Sequence, residues 1–182
     1  VGKVDMLKIY PMDFEEFLEG IGQKQLCDVL ASHDEILVDT FAAKITDYLF
    51  QYYFVGGMPE VVASFAQKND LNLVRSLQSA IIDAYRRDIA KHSSKTESIR
   101  IGQVLQSLPS QLAKENKRFI YSAVKKGSRA AEFEIAIQWL IDAGLVYKVS
   151  RVNKVAVPLR FYEDIEAFKL FFLDIGLLCC MA

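Results

Sequence analysis

Cysteine, proline, tryptophan and histidine are all scarce in this chain of 182 residues, at three, four, one and two copies. Three cysteines, two of them adjacent at Cys179 and Cys180, cannot build a disulfide framework, and an odd, sparse count fits a reducing, cytoplasmic setting. Few prolines and nine glycines, in a chain 52% apolar and 25% charged, exclude disorder, collagen-like repeats and low complexity. Long hydrophobic runs are missing too. Residues 167–182 are rich in apolar side chains but carry Lys169 and Asp174 and are too short to span a bilayer, so no membrane contact is expected. Val1 to Asp5 lack the charged-then-apolar order of a signal peptide.

Recognisable chemistry is equally sparse. His33 and His92 lie far apart, and neither has a carboxylate or cysteine at ligand spacing, so no metal site is expected. No Gly-x-Ser-x-Gly occurs, nor any glycine loop ending in Lys-Ser/Thr, so no catalytic residue is nominated and no phosphate cradle lies within these residues. Glu115-Asn116-Lys117 has the Glu-x-Lys spacing of metal-dependent nucleases, but without a flanking strand or an upstream Asp it reads as a solvated surface.

What is present is helical periodicity and an uneven charge distribution. Residues 1–85 hold 6 bases against 13 acids, residues 86–129 hold 11 against 3, and residues 130–182 hold 5 against 7. A basic middle between acidic flanks suits either an intramolecular match or an anionic partner. Residues 3–9 alternate, with Val4, Leu7 and Ile9 apolar, and predict a short strand ended by Pro11. Asp13 and Glu16 have capping-box spacing ahead of a helix closed by Gly20 and Gly22. Further helices are predicted over 39–53, 60–67 and up to about His92, with Pro59 suited to the first turn of the second. Ser93 to Thr96 read as a linker.

Beyond it the pattern predicts helices over 99–108 (stopped before Pro109), 110–117, 120–126 and 129–143, the last capped by Ser128 and closed by Gly144. An alternating strand follows over 145–152, then a turn at Asn153-Lys154 and a returning strand over 168–173. The fold class is therefore mainly α, with short helices and then a two-strand ribbon in winged-helix order. The expected divisions are 1–22, 23–92 and 93–182.

Several stretches, in order along nearly the whole chain, carry a family resemblance. They include Tyr10-Pro11-Met12-Asp13-Phe14, Val55-Gly56-Gly57-Met58-Pro59-Glu60, Tyr85-Arg86-Arg87-Asp88, Trp139-Leu140-Ile141-Asp142-Ala143-Gly144 and Leu173-Asp174-Ile175-Gly176-Leu177. They are similar to bacterial and archaeal AAA+ ATPases whose nucleotide-binding domain precedes a C-terminal region of unknown function.

The resemblance implies the piece after the ATP-binding core: a terminal strand-helix, a helical lid and a winged helix. ATP, magnesium and the phosphate loop would then belong to the longer parent, and its core and a following nuclease-like domain would be partners of this piece. It also implies that Gly57 and Pro59 pack against adenine, the glycine for close backbone approach and the proline as a rigid apolar face. Arg75, the only arginine between residues 39 and 85, is the candidate for the γ-phosphate.

The charge of the presumed recognition helix, residues 129–143, argues against DNA reading. It has one base, Arg129, against Glu132, Glu134 and Asp142, whereas phosphate neutralisation supplies much of a DNA-binder's affinity. Docking to a protein, or to another part of the same parent chain, is therefore the expectation. The alternative is a free-standing winged-helix DNA-binding regulator gripping phosphates through Lys114, Lys117, Arg118, Lys125 and Lys126.

Overall fold

The computed structural model describes residues 2, 5 and 7–182. Among the described residues the chain is mainly helical with one small antiparallel sheet, as the periodicity predicts. It divides into two compact units: residues 1–77 with 174–176, and residues 78–173 with 177–182. The division falls inside a long helix, whereas the sequence suggests one at the Ser93 linker.

In the first unit Asp13 caps α1 (Phe14–Gly20) with the reciprocal Asp13–Glu16 box expected of that spacing. Residues 7–9 form no strand, and Leu7 and Ile9 lie open to solvent; Lys3, Val4 and Met6, which also belong to that expectation, lie outside the described residues. Alternation alone cannot hold a strand that has no partner to pair with.

Next come α2 (Lys24–Ala31), which the sequence reading missed, and α3 (Glu35–Val55), which starts earlier than predicted. The Asp34 carboxylate, accepting from Ile36 and Leu37 N–H, sets that start. Pro59 opens α4 (Pro59–Lys68) at its first position, as expected, and α5 (Leu71–His92) follows. The core of this unit holds Phe17, Leu18, Val61 and Phe65, with Phe17 stacked on Phe65 at 6.4 Å and tilted on Tyr52 at 5.4 Å.

In the second unit the predicted linker shrinks. Ser94 caps α6 (Lys95–Leu112) in a second reciprocal box with Glu97, so Lys95 and Thr96 are helical. Pro109 does not stop this helix. It removes one backbone bond, but the apolar face leading up to it, Ile101, Leu105 and Leu108, is buried and holds the helix in register. Buried Gln111 adds a tether, its amide donating to Ser107 Oγ and its carbonyl accepting from Ile120 N–H.

The separate helix predicted over 110–117 is absent, and the next helix is only α7 (Tyr121–Val124). The last helix of the trio is α8 (Ala130–Asp142). Ser128 does not cap it. Its hydroxyl donates to Tyr121 O, and Glu132 accepts instead from Arg129 N–H. Gly144, at φ +71°, closes α8 as predicted, with Gly144 N–H on Ile141 O and Leu145 N–H on Leu140 O.

Strand β1 (Val146–Val152) pairs antiparallel with β2 (Glu163–Phe172). The returning strand starts earlier than predicted, and the connection is a ten-residue wing, not a two-residue turn. An irregularity after Ser150 shifts the register from Ser150 opposite Phe168 to Arg151 opposite Asp164. On the regular side of it Phe168, Leu170 and Phe172 alternate onto one face of β2 and are buried, as are Phe133, Ile137 and Leu140 of α8. A terminal helix, α9 (Ile175–Met181), completes the chain.

Candidate functional site

The most constrained place in the first unit is the corner between α3 and α4. Gly56 takes φ +76°, a left-handed conformation that glycine adopts without strain. Gly57 is buried, and both of its backbone polar groups are taken. Its N–H donates to Asp174 Oδ2 at 2.6 Å and its carbonyl accepts from Met12 N–H at 2.7 Å. Asp174 is only 4% exposed, and its bond to the Gly57 amide is one of the contacts that offset the cost of burying it.

Three more residues tighten the clasp. The Tyr52 hydroxyl donates at 2.9 Å to the carbonyl of Met12, the residue whose N–H Gly57 holds. Gly176 lies so near α3 that a Cβ there would sit 2.5 Å from Val55 O and 2.6 Å from Gly56 N. Arg75 donates to Gly176 O at 3.4 Å while its guanidinium lies 3.8 Å above the Phe54 ring. Corner, α5 and the start of α9 are thereby tied to one another.

Of the sequence-nominated residues, Gly57 and Arg75 thus come together around Asp174 and Gly176, while Pro59 stands exposed at the start of α4. The nomination missed Met12, Tyr52, Asp174 and Gly176 as members of the cluster. An aspartate inside an otherwise apolar run, followed two residues later by glycine, was the readable signal. The cluster supplies one buried carboxylate and several backbone amides, and no group able to hold a metal ion occurs among the described residues. Its chemistry is positional: it fixes the angle at which α3 turns into α4.

Burial, with the Asp174, Asp13 and Glu16 carboxylates nearby, pushes the Tyr52 hydroxyl up to about 12. The folded state therefore disfavours the phenolate. Any stability from this group is present below the ordinary tyrosine value near 10 and is lost as pH rises from about 10 to about 12. Burial, with Glu134 nearby, pushes the Tyr121 hydroxyl up as well. In an absorbance titration at 295 nm Tyr52 should contribute a phase near pH 12, together with loss of helical ellipticity, and Tyr52→Phe should lower the amplitude of that phase by one tyrosine. An unchanged amplitude near pH 12 after the substitution would refute the assignment.

The second unit carries the basic candidates. Lys114, Lys117, Arg118, Lys125 and Lys126 are all exposed. Lys114 and Arg118 border one open groove with Asn116 and Tyr121, whereas the other three lie outside its lining. Arg118 also donates to Glu166 O at 3.0 Å, and Phe119 N–H to Phe168 O at 2.8 Å, so the 118–119 segment runs along β2. Glu115 and Lys117 are exposed beyond the end of α6, Glu115 on the groove that Glu166 of β2 also lines. On α8 the outward positions are Glu134, Ile135 and Gln138, with Ile135 65% exposed.

A family model described as a domain of unknown function, DUF8612, matches residues 46–182. The chain belongs to the DUF8612 family. No curated protein matches the chain, and no solved structure does. The DUF8612 region begins within α3 and takes in the glycine corner, Arg75, Asp174 and the whole second unit, whereas Met12, which closes the clasp, precedes it.

Proposed function

We propose that this DUF8612 chain acts as the lid and winged helix of a nucleotide-dependent switch ATPase, with ATP and magnesium held by a segment that these 182 residues do not contain. The observation that carries the reading is the clamped Gly56-Gly57 corner, which leaves Pro59 exposed at the first position of α4. Pro59 is then the adenine wall. Gly57, its backbone already engaged, sets the wall's orientation and does not itself touch the base. Arg75 belongs to the clasp and would reach a phosphate only by leaving Phe54.

Supporting the reading, α3 leaves Ile36, Phe50 and Tyr53 exposed, apolar surface of the kind a preceding ATPase core would cover. The winged helix is the output element, and its partner is a protein. The outward face of α8 offers Glu134, Ile135 and Gln138 with no base, which suits protein contact better than a phosphate backbone.

A wall without a phosphate cradle binds weakly. Titrating ATP or adenosine into the chain should give the same small amide shifts at Gly56, Gly57 and Met58, lost in Pro59→Ala, with inorganic triphosphate giving none. Affinity for ATP tighter than about 10 μM, roughly −7 kcal/mol, or shifts centred elsewhere, would overturn the reading. Labelled duplex DNA near physiological salt should not bind. Binding tighter than about 1 μM that weakens steeply with salt, and that vanishes when Lys114, Lys117, Arg118, Lys125 and Lys126 are changed together to Glu, would favour the DNA-binding regulator instead.

A further inference from the structure

The second unit contains a cavity of about 220 Å³ lined by α5 and α6, with Leu145, Phe172 of β2 and Met181 of α9 adding to its wall. Its floor is apolar: Ile82, Ile89, Leu105 and Phe172 are each less than a tenth exposed. That floor suits an apolar guest, because water placed against it finds few partners, while Tyr85, Arg86, Ser98 and Gln106 supply polar groups elsewhere in the lining.

Gly102 opens the cavity. It stands in the middle of α6, where glycine is unfavourable relative to alanine, and nothing lies within 4 Å of the place its Cβ would occupy. Among the described lining residues the one cation is Arg86, and no acid lines the cavity. The Arg86 guanidinium pairs with Asp83 at 3.2 Å, but both side chains are more than half exposed, and such a pair holds its partners weakly. Gln106 adds an amide to the same lining.

We propose that this cavity is a binding site for a medium-chain aliphatic carboxylate, the chain seated against Ile82, Ile89, Leu105 and Phe172 and the carboxylate on Arg86. At the liquid volume of about 30 Å³ per water-sized group, the space holds roughly seven heavy atoms, which fits a chain of about eight carbons with its carboxylate at the rim. The site lies wholly in the second unit and does not depend on the nucleotide-switch reading.

The probe is sodium octanoate, with butanoate and octanol as comparisons, read by calorimetry and by the Gly102 amide shift in the full chain. Octanoate should saturate with a dissociation constant of about 0.1–1 mM, within the limits for so small a ligand. Butanoate, four methylenes shorter, should bind on the order of 100-fold more weakly. Gly102→Leu should abolish binding by filling the space. Should that variant not fold, Gly102→Ala, whose methyl group meets nothing, should still weaken octanoate several-fold. Arg86→Gln should remove the preference for octanoate over octanol. Absence of saturable binding, binding indifferent to the Gly102 variants, or octanol binding as well as octanoate to the unaltered chain would each overturn the proposal.

Discussion

Replacing Gly57 by alanine is expected to lower stability by about 3–5 kcal/mol. The demand at this position is for space, not for an unusual backbone angle: Gly56 is in the left-handed region and Gly57 is not. A Cβ on Gly57 would lie 2.8 Å from Met12 N and closer still to Met12 O. Both of those atoms are backbone and cannot swing aside as a side-chain terminus would.

Relief requires the Met12 strand of chain to move away. That breaks the Met12–Gly57 bond and disturbs the Tyr52 bond to Met12 O. If the corner shifts instead, Asp174 loses the Gly57 amide while still buried. A lost bond to a charged group contributes about 1.5–3 kcal/mol, and overpacking about 1–3 kcal/mol. At roughly 2–4 °C per kcal/mol for a chain of this length, the melting temperature should fall by about 10 °C. Gly102→Ala provides the opposite sign, since the same methyl group enters open space in a helix and should stabilise by about 0.5–1 kcal/mol. A Gly57→Ala protein melting within about 2 °C of the parent would show that the corner yields and that the clasp is not what holds it.

The contrast between these two glycines also explains how much of the molecule the sequence discloses. Local chemistry reads well. The Asp13–Glu16 box, Pro59 at a helix start, Gly144 at a helix end and the buried stripe Phe133, Ile137 and Leu140 all follow from spacing within a few residues.

What fails is decided at long range. Pro109 reads as a stop, and only the burial of Leu105 and Leu108 against partners far along the chain shows why α6 runs through it. Residues 7–9 read as a strand because alternation is local, whereas a pairing partner is not. The candidate site divides in the same way. Gly57 and Pro59 are visible as punctuation, but the carboxylate that holds Gly57 is 117 residues away, and no periodicity links the two. Arg75 stands out in sequence as a lone arginine, and the structure supplies a local use for that charge, on Phe54 and Gly176.

The second unit's core yields the other large effect, through Phe133. Its ring is 1% exposed in the middle of α8, in the layer where the helix stripe meets the β-ribbon. Truncation to alanine removes the ring and leaves a void that the neighbouring elements, tied by Gln111 and by the Phe119–Phe168 backbone bond, can close only in part. Phe133→Ala should therefore destabilise by about 3–5 kcal/mol, the range for large-to-small changes that cannot collapse.

Trp139 tests whether that figure reports burial or merely aromatic size. It lies on the same helix and is larger, yet only half-buried, so Trp139→Ala should lower stability by about half as much, in keeping with the smaller apolar area it removes from water. Chemical denaturation of both variants decides the point. If Trp139→Ala proved as damaging as Phe133→Ala, the core of this unit would have to extend beneath the tryptophan. If both left the midpoint unchanged, α8 would not pack on the ribbon through the Phe133, Ile137 and Leu140 stripe at all.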